Sequence, residues 1–284
     1  MNAPRHSPHP GTATEPAITG WDCHAHLFGP YDHFPLAPER SYTPPEAVAS
    51  QYLALLSWLG LSHGVLVHPS AYGTDFRLLL HALHAHANLR GVVVATAGMA
   101  LDWHGLRRQG VRAARFSHRS GAGANFAGSA SLDDLQALAP QLADAGLHAE
   151  LWTDCQALGG IADTLRHLPV PVVIDHMGGF NLRAGIDDPG FRALLALVES
   201  GRAWVKLCAY RNLLQAADPD QGAAFHRALL AANPERLVWG TDWPHLRVEP
   251  APDTEDLLAQ CKRWTGDDAL MQRLLVANPT ALYA

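Results

Sequence analysis

The chain has 284 residues, of which 48% are apolar and 17% are charged, and its formal net charge is −6. This composition can bury a large core and excludes a disordered chain, and the negative charge without any run of Lys or Arg argues against a nucleic-acid partner. No apolar stretch approaches the roughly 18 residues of a membrane span, so we expect no membrane partner. The absence of a signal-like segment and the four widely spaced cysteines predict a cytoplasmic protein without disulfides.

The chain begins with a predicted tail, a strand and a pair of histidines. Residues 1–17 hold Pro, His, Ser and Thr without periodicity and are predicted to form a flexible tail. The apolar residues 18–21 predict a strand, and His24 and His26 after it would share one face because alternate strand residues point the same way. A histidine pair can also lie in a surface loop. A second polar motif, Trp-Gly-Thr-Asp-Trp-Pro-His at 239–245, favours a functional role.

A long loop and then a regular alternation of strands and helices follow. Residues 28–45 are too rich in proline for regular structure, and Thr43 is predicted to cap a helix that continues to Trp58. Apolar segments predict seven further strands at residues 64–67, 92–96, 111–116, 148–152, 172–176, 203–207 and 237–241. Helices are predicted at residues 75–86, 103–109, 131–145 (with a capping box at its start), 157–167, 189–199 and 219–232, before two closing helices.

Eight strand–helix units predict an α/β protein, a (β/α)8 TIM barrel that forms a single domain over residues 18–284. Continuous Val/Ile/Leu strands separated by amphipathic helices are typical of a parallel sheet covered by helices. A doubly wound sheet is the rival fold, but no Gly-x-Gly-x-x-Gly motif follows the first strand.

Polar residues follow nearly every predicted strand. They are His24, His26, Ser70, Arg115, Arg119, Glu150, Trp152, His176, Tyr210, Arg211 and Asp242. In a barrel the carboxyl ends of all strands open on one face, and that face carries the active site. We therefore expect these side chains to lie together.

Three motifs resemble those of a known family. Residues 22–30 read Asp-Cys-His-Ala-His-Leu-Phe-Gly-Pro, residues 174–179 read Ile-Asp-His-Met-Gly-Gly, and residues 240–245 read Gly-Thr-Asp-Trp-Pro-His. With the Pro-rich segment 34–44, they resemble the amidohydrolase superfamily (amidohydrolase-2 type), and in particular its lactonase branch, which includes the 2-pyrone-4,6-dicarboxylate lactonases. The resemblance spans residues 20 to about 283. It implies a hydrolase that opens the ring of a carboxylated lactone, in the catabolism of aromatic compounds.

The resemblance also implies roles for individual positions. The general base falls on Asp242, and the histidines that polarise the carbonyl group fall on His24, His26 and His176. Substrate carboxylates and oxygens are expected at Tyr42, Ser70, Arg115, Arg119 and Arg211. Two positions depart from the family pattern: the sequence around Arg119 lacks the usual Arg-Phe-Asn, and Trp152 stands where the relatives use Tyr.

These residue types suit the hydrolysis of a lactone. An aspartate beside histidines can accept a proton from water, and imidazole N–H groups or a metal can stabilise the oxyanion that forms. Arginines bind carboxylates through paired hydrogen bonds, which predicts a small anionic substrate. Alternatives are that Asp242 only caps a helix, that Arg115, Arg119 or Arg211 forms a structural ion pair, and that Glu150 is a paired or protonated carboxylate without a catalytic role.

No metal or other cofactor is expected to be required. Metal-dependent members of the superfamily carry a further histidine after strand five, where this chain has Glu150-Leu-Trp-Thr. The alternative is one divalent ion, zinc or manganese, held by His24, His26, His176 and Asp242. A metal-dependent hydrolase or decarboxylase acting on another small organic acid therefore stays open, as does a non-catalytic barrel that senses a small acid. The sequence indicates neither the exact substrate nor the oligomeric state.

Overall fold

Eight parallel strands form one sheet in the computed structural model, which describes residues 16–121 and 126–284. The strands are β1 (Trp21–Ala25), β2 (His63–Val67), β3 (Leu89–Val94), β4 (Val111–His118), β5 (His148–Thr153), β6 (Val172–Ile174), β7 (Ala203–Leu207) and β8 (Leu237–Trp239). Each strand pairs in parallel with the next along the chain.

The two edges of this sheet meet, which closes it into a barrel. Asp242 donates its backbone N–H to the carbonyl of His24, and His26 donates its backbone N–H to the carbonyl of Trp243, both at 2.8 Å. We call this contact the β1–β8 seam. The predicted (β/α)8 barrel is confirmed.

Ten helices surround the described part of the barrel. They are α1 (Ala49–Trp58), α2 (Arg77–Ala85), α3 (Trp103–Arg108), α4 (Leu132–Asp144), α5 (Cys155–His167), α6 (Pro189–Glu199), α7 (Ala223–Ala232), α8 (Thr254–Thr265), α9 (Asp268–Gln272) and α10 (Asn278–Tyr283). Among the described residues, none of these helices combines the length and the apolar character needed to span a bilayer.

Apolar side chains pack in two layers, one inside the barrel and one between the strands and the helices. The interior layer includes Val65, Val67, Val92, Val173, Trp204 and Val238. Helix α10 contributes Tyr283 to this interior layer, where its ring lies 6.3 Å from the ring of Trp21. Tightly filled barrel interiors of this kind leave room for a ligand only at the mouth.

The first strand and the first helix differ from their predicted bounds. Strand β1 begins at Trp21 and continues to Ala25, so His24 lies within the strand and not after it. Helix α1 begins at Ala49, and the prediction that Thr43 caps it was wrong. The physical reason is that the backbone of Ala47 pairs with that of Phe28 at 2.8 Å, which holds the preceding segment extended.

Strands β6 and β8 end two residues earlier than predicted, at Ile174 and Trp239, and the backbone that follows them becomes left-handed at His176 (φ 49°) and Asp242 (φ 59°). The predicted helix 219–232 begins as a 3₁₀ turn and becomes α-helical at Ala223, and three helices close the chain where two were predicted. The capping box between Ser131 and Asp134 is confirmed. Most of the predicted tail, and residues 122–125 after β4, lie outside the described residues.

Candidate active site

A cavity of about 410 Å³ opens at the carboxyl ends of the strands. It contains eight of the nine residues that were predicted to act on substrate: His26, Tyr42, Ser70, Arg115, Arg119, His176, Arg211 and Asp242. The ninth, His24, does not line the cavity and is fully buried behind it. The structure therefore gathers the predicted residues into one site, with His24 one layer deeper than expected.

Asp242 lies in the wall of this cavity, only 2% exposed. Its Oδ2 accepts hydrogen bonds from the hydroxyl of Tyr210 at 2.8 Å and from Nε of Arg211. Its Oδ1 lies 3.5 Å from Nε2 of His26. Burial alone would raise the pKa of this carboxyl, but His176, which is protonated in the acid range where the carboxyl would titrate, and Arg211 hold the pKa well below its usual range. The carboxylate is ionised, and Oδ1 is the oxygen left to accept a proton.

His26 can donate from only one of its ring nitrogens. Its Nδ1 lies 2.8 Å from the carbonyl oxygen of Val67, and a carbonyl only accepts, so a neutral ring carries its hydrogen on Nδ1. Its Nε2 is then an acceptor, 3.3 Å from Nε2 of His24. The register of β1 with β2 is irregular between Asp22 and Ala25, the part of the strand that holds the fully buried His24.

A buried network of charged groups lies under the site and was not predicted. The ammonium of Lys206 lies 2.5 Å from Oε2 of Glu150, 3.4 Å from Oδ1 of Asp175 and 3.1 Å from Nδ1 of His24. The hydroxyl of Tyr283 donates to the other oxygen of Glu150 at 2.8 Å. Burial, with Lys206 adding to it, lowers the pKa of His24 to about 3, so this imidazole is neutral.

The sequence does carry a signal for this network. Lys206 lies in the middle of β7, and Glu150 lies within β5, both surrounded by apolar residues. A charged side chain at the centre of a buried strand needs an opposite charge nearby, because an unpaired buried charge is very costly. The alternative interpretation of Glu150 as a paired carboxylate is confirmed.

The predicted arginines are already engaged with protein groups. Nε of Arg115 donates to Oδ2 of Asp175 at 2.8 Å, and its guanidinium lies 5.3 Å from the ring of Trp152. Arg119 lies over the same ring at 4.4 Å. The alternative that Arg115 and Arg211 form ion pairs is confirmed, and both still line the cavity.

His176 follows β6 in a left-handed turn. Its ring lies 4.9 Å from that of His24, and its carbonyl accepts a hydrogen bond from the side-chain amide of Asn212 at 2.9 Å. Burial lowers the pKa of His176 to about 4, so it is neutral near pH 7. A neutral imidazole at the cavity wall can donate one N–H to a ligand.

Asp22 is a second buried carboxylate close to the β1–β8 seam. Its Oδ1 accepts from the backbone N–H groups of Thr241 (2.8 Å) and His24 (3.1 Å). Its Oδ2 accepts from the hydroxyls of Thr241 (2.7 Å) and Tyr52 (3.1 Å). Burial raises the pKa of Asp22 to about 6 in spite of these four neutral donors. Asp22 joins the two edge strands and α1.

The model of a protein family named amidohydrolase matches residues 21–284. The chain belongs to this family. The chain is 32% identical to the 4-sulfomuconolactone hydrolase of Rhizobium radiobacter, over 93% of this chain and 89% of the relative. It is 31% identical to the 2-pyrone-4,6-dicarboxylate hydrolase of Comamonas testosteroni, over 92% of this chain and 89% of that relative. It is also 30% identical to the D-galactarolactone isomerase of Agrobacterium fabrum, over 96% of this chain and 94% of that relative.

A solved structure has the same fold over nearly the whole length of the amidohydrolase. It is that of a probable 2-pyrone-4,6-dicarboxylic acid hydrolase from Acinetobacter baumannii with citric acid bound. The TM-score is 0.80 at 27% identity, over 94% of this chain and 99% of that one. The predicted family resemblance is confirmed, and the amidohydrolase is a hydrolase.

Among the residues that the structure describes, three groups of side chains bring ligand atoms within 4.8 Å of one another. They are His24, His26 and Asp242; His24, Asp175 and His176; and His176, Cys208 and Asp242. These donor types could hold zinc. Two fixed cations oppose a divalent ion here, because Arg211 binds Asp242 and the Lys206 ammonium lies beside His24. The donors suit a metal, and their electrostatic surroundings do not.

Proposed function

We propose that this amidohydrolase opens the ring of a carboxylated lactone with water, and that Asp242 is the general base. One observation carries the proposal: an ionised and buried carboxylate lies in the wall of an arginine-lined cavity, with one oxygen held by Tyr210 and Arg211 and the other facing two histidines. The names of the relatives, two of them lactone hydrolases, support the same reaction.

The reaction would begin with a water molecule held between Asp242 and His26. Asp242 takes a proton from this water through Oδ1, and the lone pair on Nε2 of His26 accepts the second hydrogen. The water oxygen attacks the lactone carbonyl carbon, and the N–H of His176 stabilises the oxyanion. The bond from this carbon to the ring oxygen then breaks, and the ring oxygen receives the proton from Asp242.

This assignment divides the work of the three histidines differently from the family-based prediction. His26 holds water, because its N–H is committed to Val67 and cannot reach an oxyanion while the ring is neutral. His176 polarises the carbonyl. His24, fully buried and 3.7 Å from Oδ1 of Asp242, positions the carboxylate and His26 from behind.

The anionic part of the substrate is proposed to bind the arginines. Arg115 and Arg211 each use one Nε in an internal ion pair, and the remaining N–H groups of each guanidinium can reach a carboxylate. Tyr42, Ser70 and Arg119 complete the predicted contacts. The citric acid bound to the relative from Acinetobacter baumannii supports a ligand rich in carboxylates.

We further propose that the reaction requires no metal and takes place in a reducing cytoplasm. The cations beside Asp242 and His24 support the first proposal. The second is supported by four free and buried cysteines: Cys23, Cys155, Cys208 and Cys261.

The test is a panel of carboxylated lactones given to metal-stripped protein in ¹⁸O-labelled water. We expect a ring-opened acid with one labelled oxygen, and no loss of rate after chelation. Inactivation by a chelator that zinc or manganese restores would support the metal-dependent hydrolase or decarboxylase. An unlabelled, isomeric lactone as product would point instead to the reaction named for the Agrobacterium relative.

A further inference from the structure

Arg247 is a fourth arginine that lines the cavity, and no role was predicted for it. Each of the other three interacts with a carboxylate of the protein. Arg115 and Arg211 form ion pairs with Asp175 and Asp242. The charge of Arg119 helps to lower the pKa of Asp154. Within the residues that the structure describes, Arg247 makes no ion pair. Its guanidinium lies over the ring of Tyr42, at 5.3 Å from the centroid.

The contact with Tyr42 holds the guanidinium in place without using its hydrogen-bond donors. An aromatic ring attracts a cation through its face and leaves the N–H groups in the guanidinium plane free. An arginine so placed, at the wall of a cavity and without a carboxylate partner, is free to bind an oxyanion with two parallel hydrogen bonds.

The backbone that carries Arg247 is held in an unusual conformation. Asp242, His245 and Arg247 have φ values of 59°, 60° and 62°. Non-glycine residues in this region are strained, and such strain is concentrated at functional sites. The segment is fixed from two sides: His245 bonds the hydroxyl of Thr254 at 2.9 Å, and Arg211 donates to the carbonyl of Leu246 at 3.2 Å. Arg247 is therefore placed relative to Asp242 by a short and well-held loop.

We propose that Arg247 is a specificity-determining residue that binds a second anionic group of the lactone, a carboxylate or a sulfonate, away from the reacting carbonyl. This inference rests on the proposed function. Because the group does not react, its contact with Arg247 is the same in the ground state and in the transition state, so it acts on KM and not on kcat.

The experiment compares Arg247→Gly and Arg247→Lys with the wild type. Glycine adopts the observed φ without strain, so the change removes the guanidinium while the loop is retained. The matched control is Arg236→Met, since Arg236 also stacks on an aromatic ring (Trp204, 4.9 Å) and does not line the cavity. Each protein is assayed with a lactone that carries two anionic groups and with its analogue that lacks one.

For the Gly variant we expect KM for the dianionic lactone to rise roughly 5- to 30-fold, with kcat within about twofold, because the lost contact is charge-assisted but exposed. KM for the monoanionic analogue should change little, and the Lys variant should be intermediate. Equal changes for both lactones, or none, would overturn the inference. If the wild type hydrolyses no lactone, the proposed function fails, and citrate titrations of the same proteins then decide whether Arg247 binds an anion.

Discussion

Asp22 and Asp242 are buried carboxylates near the two sides of the β1–β8 seam, and their surroundings differ. Asp22 receives four hydrogen bonds from neutral donors, and burial raises its pKa to about 6. Asp242 receives one neutral hydrogen bond and faces Arg211 and His176, and its pKa stays well below the usual range. Neutral hydrogen bonds alone do not offset the cost of burying a charge, whereas a cation in contact does.

Asp22 has a structural role, whereas Asp242 is the carboxylate proposed to act in the reaction. Asp22 connects two edges of the barrel and helix α1, and its ionisation takes no part in the proposed reaction. Asp242 must be ionised to accept a proton from water, and the protein uses a cation to keep it so.

The largest effect is expected for Asp242→Asn. This change keeps the side-chain shape and removes the proton acceptor, so kcat should fall by roughly 10²- to 10⁴-fold. Steady-state kinetics with a good lactone substrate measure it, and circular dichroism shows whether the fold is retained. The matched control is Asp22→Asn, which removes the other carboxylate and should leave kcat nearly unchanged. Equal losses in the two variants would contradict the distinction.

Lys206→Met would give Glu150 and Asp175 surroundings more like those of Asp22. Two buried carboxylates would lose their shared cation, and we expect the free energy of unfolding to fall by about 3–5 kcal/mol. Denaturant unfolding at pH 7 measures this change. Adding Glu150→Gln to the variant should recover part of the loss, because one of the two unpaired charges is then gone. A double variant that is no more stable than the single one would argue against the network.

The pH dependence of stability should reveal Asp22 directly. Its pKa is higher in the folded state than in the unfolded one, so the folded protein binds the extra proton and stability falls as pH rises through this range. Between about pH 4 and pH 7 the wild type should lose about 3 kcal/mol relative to Asp22→Asn, which cannot ionise. Urea titrations of both proteins across this range measure the difference. A constant difference would show that the pKa of Asp22 is not raised.

Arg211→Met should have the smallest effect on activity. It tests whether the guanidinium of Arg211 acts on the substrate, on Asp242 or on both. One charge-assisted contact to the substrate is lost, which lowers kcat/KM roughly 10- to 150-fold, mainly through KM. Because Arg211 also helps to hold down the pKa of Asp242, the acidic limb of the kcat/KM profile should move to higher pH. A variant with raised KM and an unmoved acidic limb would mean that Arg211 serves the substrate alone.

The sequence predicts the barrel and most of its mouth, because both depend on local signals. Continuous apolar segments between amphipathic helices show where the strands lie, and a parallel barrel places the carboxyl ends of all strands on one face. That rule was enough to bring Arg115, His176 and Asp242 together. It could not show that His24 is fully buried while His26 lines the cavity, in a part of β1 where the register with β2 is irregular.

The partners of the predicted residues were harder to foresee. Arg211 was predicted to bind substrate, and the structure shows that it also binds Asp242. The pairing of Lys206 with Glu150 joins β7 to β5, and the sequence does not say which buried charges meet. Contacts of this kind depend on the side-chain directions inside a closed barrel, which the strand pattern alone leaves open.

The β1–β8 seam has a consequence for how the protein becomes active. The backbone N–H of Thr241 and the carboxylate of Asp22 are 219 positions apart in the chain, and Asp242 reaches the histidines only when these two edges have met. Contacts between such distant segments close a large loop and are slow to form. During refolding, we expect secondary structure to return first and hydrolysis last. The rate at which enzymatic activity returns would then report the rate at which the barrel closes.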